Sequence, residues 1–201
     1  MKHTTFNELK KKFQSIAGLS SLTNTDLFFF KNSLNQRLND AWSRMNWPEL
    51  IEVKTISIAP DSTGTHVGST GDEDILQVYN KNPHSERTAR IINYQLIDSK
   101  IYLNVNEIIY NNEVFALIKK AFVEYNEDST DIPKIFESYL TSAILSDFYR
   151  GDGQGDLASR EEGRSEEFLI RQIDRIERLQ QQNPLMVTQY NNTATNSIFY
   201  S

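Results

Sequence analysis

The sequence predicts an α+β protein, a helical bundle of long amphipathic helices with an inserted antiparallel β subdomain. Three observations predict it. Apolar residues recur at helical spacing over 25–46, 132–150 and 155–182, which is the pattern of helices with one buried face. Between the first two of these, over about 50–125, the apolar period falls to two, the period of strands. A chain of 201 residues buries one sizeable core, so 1–183 reads as a single α+β domain and 184–201 as an extended C-terminal tail.

The elements follow in order. Phe6, Leu9, Phe13 and Ile16 are spaced for a short helix over 6–16 that stops at Gly18 and, being polar elsewhere, is expected to pack on a partner. Over 25–46, Leu27, Phe30, Leu34, Leu38, Ala41, Trp42 and Met45 form one stripe behind the cap candidates Asn24 and Thr25, and Pro48 ends the helix. Residues 50–59 read as a strand with Ile51 and Val53 on one face, Ile56 and Ile58 on the other, and a bulge near Lys54. The stretch 61–74 is Ser, Thr, Gly and Asp with almost no apolar anchor, a hairpin tip or functional loop.

Strands are expected at 75–79, 89–97 and 101–105, the last two joined by the turn 98–100. Residues 114–125 fit helical spacing, yet their β-branched and aromatic content suits a buried strand, and we assign them to strand. Asp131-Ile132-Pro133 opens a helix over 132–150, since proline is tolerated in a first turn, with Ile132, Ile135, Phe136, Tyr139, Leu140, Ala143 and Ile144 inward. Gly151 and Gly153 end it. A last helix, 155–182, turns Phe168, Leu169, Ile173, Ile176 and Leu179 inward.

Composition excludes several classes of function. The chain lacks cysteine, and with it disulfides, thiolate nucleophiles and Cys-based metal sites. A net charge of −6 argues against a general nucleic-acid binder, since phosphate contacts need clustered Lys and Arg and only Lys119 and Lys120 approach a cluster. No apolar run is long enough to cross a membrane, and no secretory signal follows Met1, so a cytosol-like compartment is expected.

No motif carries chemistry. The run 151–156, Gly-Asp-Gly-Gln-Gly-Asp, follows a helix rather than a strand and lacks the further carboxylates of a calcium loop, so it reads as a helix-to-helix turn. His3, His66 and His84 are too far apart for a local metal motif, and Asp72-Glu73-Asp74 reads as a solvated loop rather than half of an acid-base pair. The sequence therefore predicts no enzyme and no cofactor. Phe28 and Phe29 widen the apolar face of their helix beyond one contact and are candidate subunit contacts, against the plainer reading that they complete the core. The tail ends in Ile198, Phe199 and Tyr200, candidate anchors of an arm that docks on a partner.

Two segments resemble the head-to-tail adaptor, or neck, proteins of tailed bacteriophages. The first runs from Leu34-Asn35-Gln36-Arg37-Leu38-Asn39-Asp40-Ala41-Trp42 to Asn46-Trp47-Pro48-Glu49-Leu50. The second holds Asp131-Ile132-Pro133, Asp147-Phe148-Tyr149-Arg150, the turn Gly151-Asp152-Gly153-Gln154, and Ile173-Asp174-Arg175-Ile176-Glu177-Arg178. The chain departs from the family at Phe115 to Lys120, where members tend to have a Val/Tyr/Arg strand and a Pro-rich turn. The resemblance implies a virion structural protein of the neck, made in the bacterial cytoplasm. It would form a homo-oligomeric ring, a dodecamer, below the portal protein and meet tail or neck proteins, with DNA passing through unread and no membrane involved.

Overall fold

A computed structural model of the chain describes residues 2–61, 65–70, 74–103, 107 and 109–182. Its elements begin with β1 (His3–Thr4), α1 (Phe6–Ala17), α2 (Asn24–Arg44), β2 (Ile51–Ser57), β3 (Ala59–Pro60), β4 (His66–Ser69) and β5 (Asp74–Tyr79). They continue with β6 (Tyr94–Ile97), β7 (Lys100–Leu103), β8 (Glu113–Lys119), β9 (Ile132–Pro133), α3 (Glu137–Gly151) and α4 (Gly155–Gln182). The chain divides into two units, Met1–Met45 with Phe122–Gln182, and Asn46–Ala121.

The first unit is built by capped helices. Thr5 caps α1: its hydroxyl accepts from Glu8 N–H at 3.0 Å, while the Glu8 carboxylate accepts from Thr5 N–H at 2.9 Å. Thr23, one residue before the expected cap candidates, does the same for α2 with Asp26. α1 ends on Gly18, whose φ of 71° suits a residue without a Cβ, and the Gly18 N–H returns to Gln14 O. The α1 stripe buries Phe6, Leu9 and Phe13 but leaves Ile16 51% exposed. Its docking face is this protein's own helices: Phe6 meets Phe30 of α2 edge-on at 5.2 Å and Phe13 meets Phe148 of α3 at 5.4 Å. On α4, Leu169 and Ile176 are buried, Phe168 and Ile173 are half-buried, and Leu179 is 53% exposed.

The expected helix start at Ile132 is corrected. Ile132 and Pro133 form β9, antiparallel to β1, with His3 opposite Pro133 and Thr4 opposite Ile132. A 3₁₀ turn, Lys134–Phe136, intervenes before α3. Proline has no N–H to give a ladder but fits a short edge strand, and β1 supplies the only pairing this strand makes among the described residues.

In the second unit, β2, β8 and β5 form a three-stranded antiparallel sheet with β8 central, and β3, β4, β7 and β6 form a four-stranded one in that order. Even-numbered residues of β8, Val114, Ala116 and Ile118, join Ile56, Ile58, Val78, Ile92, Ile101 and Leu103 in a core shared by both sheets. Odd-numbered Leu117 and Phe115 face the opposite way, with Leu76, Tyr79, Ile51 and Val53. Simple alternation thus puts Ile51 and Ile56 on opposite faces, and the expected bulge near Lys54 is absent: the β2–β8 register is unbroken. The bulge falls instead in β5, between Ile75 and Gln77, and resets which side chains face each cluster.

The predicted architecture, a bundle of long helices with one inserted β subdomain, is therefore corrected. Among the described residues the fold has four helices and three antiparallel sheets, one of which, β1–β9, lies in the helical unit. A two-residue strand carries no alternation to read. Residues 61–74 also hold strand β4 rather than a plain loop, because pairing with β7 supplies backbone bonds that the apolar pattern does not signal. β8 stops at Lys119, short of the expected 125, and only Tyr94–Ile97 of 89–97 is strand.

Candidate functional site

Along α2, Ser33 and Arg37 lie one turn apart beside the buried stripe, and they meet Asp147 of α3 and Glu162 of α4. Arg37 holds both carboxylates on two edges of one guanidinium. Its Nε and Nη2 donate to Asp147 at 2.9 and 2.5 Å, and its Nη1 and Nη2 donate to Glu162 at 2.9 Å each. Ser33 Oγ donates to Asp147 at 2.6 Å, and Arg150 stands 3.7 Å from both acids. Farther along α2, Arg44 pairs with Glu166 at 2.7 Å. The planar fork of arginine suits this double bidentate grip, which a lysine ammonium could not reproduce.

Electrostatics follow from that geometry. Burial pushes the Asp147 and Glu162 carboxyls up, but hydrogen bonds and charge from Arg37 outweigh it and hold both below their ordinary values. The Asp147 bond is the main reason that the guanidinium of Arg37 is held still more firmly protonated. Carboxyls held ionised this way make poor general acids near neutral pH. The cluster's chemistry is binding and positioning: it locks three helices in register.

Beside the cluster lies an open groove of about 590 Å³, lined by Phe28, Phe29, Arg37, Asp147, Arg150 and Glu162 among others. Its wall brings both predicted aromatics together. Phe28 is 67% exposed, whereas Phe29 turns in and meets Phe148 at 6.3 Å. Ile198, Phe199 and Tyr200 lie outside the described residues. The histidines stay apart: His3 contacts Asp131 O at 3.0 Å, His84 donates its backbone N–H to Asn82, and His66 belongs to β4. Among the described residues no group of three or more metal-type side chains gathers, and no helix is long and apolar enough to cross a membrane.

No protein-family model matches the chain, and no curated protein matches it. Arg37, Asp147 and Glu162 carry no sequence signal as a site, because 110 residues separate Arg37 from Asp147 and 125 separate it from Glu162.

Proposed function

We propose that the chain is a virion structural protein of a tailed bacteriophage, a head-to-tail adaptor whose ring below the portal extends the DNA channel and docks tail or neck components. The observation that carries this reading is Phe28. It stands 67% exposed beside a groove walled by Phe29 and by paired charges, apolar surface that contact with another subunit would cover. Support comes also from the resemblance, whose two segments supply Arg37 and Asp147, the two ends of the bridge that registers α2 against α3. The net charge of −6 suits a channel wall to which DNA does not stick. Ring size, the portal contact and the neck location belong to the same proposal.

Quantitative mass spectrometry of purified virions tests it. A copy number equal to that of the portal protein supports an adaptor ring. Copies in the hundreds assign the chain to capsid or tail tube, and absence from washed particles assigns it to assembly or to a non-virion role.

A further inference from the structure

In the second unit the chain leaves β5 and returns toward β6 along a run of backbone bonds. Asn80 N–H donates to Arg90 O at 3.1 Å, Ile92 N–H donates to Val78 O at 2.9 Å, and Tyr79 bridges Ile91. Beside this run, and beside Tyr110 at the turn into β8, lies an open pocket of about 430 Å³. That volume falls in the ordinary range of small-ligand sites, roughly 300–1,000 Å³. Asn80, Lys81, Thr88 and Arg90 line it, together with Ile91, Glu107 and Tyr110.

Two of its polar groups are donors without acceptors. Asn80 is 7% exposed, and its side-chain oxygen accepts from the Arg90 N–H at 2.8 Å. That bond fixes the orientation of the amide, because an amide nitrogen could not accept it. The Asn80 amide nitrogen is left as a donor with no partner among the described residues. A spare donor on a side chain so deeply buried costs free energy until a ligand or water takes its hydrogen. Arg90 has both backbone groups tied to Asn80, and its guanidinium makes no bond among the described residues.

The other cation is already committed. Lys81 Nζ lies 3.0 Å from Glu86, 3.4 Å from Thr88 Oγ1 and 4.7 Å from the centre of the Tyr110 ring. Thr88 accepts the Lys81 bond and keeps its own hydroxyl hydrogen to give.

We propose that this pocket binds a carboxylate carried on an apolar body. The Arg90 guanidinium and the Asn80 amide are planar donors that suit the two oxygens of one planar carboxylate, with the Thr88 hydroxyl as a third donor. Ile91 and Tyr110, 44% and 47% exposed, give the apolar body a wall. Glu107, whose carboxylate accepts from Asn93 N–H at 3.3 Å, adds a negative charge to the lining. A singly charged carboxylate meets less repulsion there than a doubly charged phosphate does.

Titration of the purified full-length protein with benzoate, followed by NMR, tests this independently of the adaptor reading. Saturable shifts in the millimolar range are expected at the Asn80 side-chain amide and at Arg90 Nε–H. Arg90→Gln removes a guanidinium that bonds to nothing among the described residues, so it should leave the melting temperature unchanged and weaken benzoate by about tenfold or more. Benzamide, which has the same shape without the charge, should not saturate. A second titration, with the peptide acetyl-Phe-Asp-Phe-amide, reads the source of the carboxylate. Tighter binding than benzoate assigns the pocket to an acidic side chain of a protein partner, and weaker binding assigns it to a small free acid. The proposal is overturned by shifts that do not saturate, by equal benzoate affinity in Arg90→Gln, or by benzamide matching benzoate. Inorganic phosphate displacing benzoate at equal concentration overturns it too, since the site would then favour the dianion.

Discussion

Asn35, in the middle of α2, holds both backbone polar groups of Tyr125. Its side-chain oxygen accepts from the Tyr125 N–H at 2.7 Å and its amide nitrogen donates to the Tyr125 carbonyl at 2.9 Å, with a further bond to Lys31 O at 3.1 Å. The contact imitates one rung of an antiparallel ladder with a side chain in place of a strand. Both residues are only 8% exposed, so water cannot replace the bonds.

Replacing Asn35 with Leu strands a buried N–H and a buried carbonyl. The expected cost is about 2–4 kcal/mol, seen as a lower midpoint in chemical denaturation. Ser43→Ala, on the exposed side of the same helix, should change stability by less than about 0.5 kcal/mol.

Arg37→Met leaves Asp147 and Glu162 with only the more distant Arg150, 3.7 Å from each, as a shared cation. We expect a loss of about 2 kcal/mol, short of the roughly 3–5 for a fully buried pair, because Glu162 is 31% exposed. The acids also set the acid limb of stability. Both hold protons more weakly when folded, so their contribution is whole above the ordinary carboxyl values and drains as pH falls below 4.5 for Glu162 and 3.8 for Asp147. Denaturation measured from about pH 6 to pH 2 should show a shallower acid limb for Arg37→Met; an unchanged slope would mean the bridge does not govern it.

At the alkaline end, burial above all pushes the Tyr125 and Tyr139 hydroxyls up to about 12. Their stability contribution is whole below the ordinary value of 10.0 and is lost as pH rises toward 12. Tyr139→Phe removes one of the two groups, along with a hydroxyl that donates to Arg37 O at 3.2 Å. It should cost about 1 kcal/mol at neutral pH and lessen the alkaline loss in a pH titration of the unfolding midpoint.

Gly68→Ala tests close approach in the second unit. A Cβ there would sit 2.8 Å from Ile58 Cγ2, 2.9 Å from Ile56 Cγ2 and 3.0 Å from Ser57 O. The two isoleucines are core residues and the third neighbour is backbone, so relief requires the strands to part. A loss of about 1–3 kcal/mol is expected, measurable by thermal melting against Gly163→Ala, whose Cβ meets nothing within 4 Å.

The stripe of α2 was legible because Phe30, Leu34, Leu38 and Trp42 repeat every four residues, and all are buried. β2 is legible as a strand through alternation and β8 through its β-branched and aromatic content, although the bulge expected in β2 lies in β5, where Ile75, Leu76 and Val78 hide it by all being apolar. β1 and β9 were not legible, since two residues make no pattern. The candidate site is half legible in the sequence: Phe28 and Phe29 both line the groove, but one ring is exposed and the other packed on Phe148, a difference the apolar pattern does not carry.

By itself the sequence determined where helices and the longer strands form, since periodicity, caps such as Thr5 with Glu8, and Gly18 act within a few residues of chain. Only the tertiary structure decided that Arg37 meets Asp147 and Glu162 and that Asn35 grips Tyr125. These are relations between residues 90 to 125 positions apart. Hydrogen bonds and ion pairs act over a few ångströms of space, and distance along the chain says nothing of them until the helices and sheets have packed.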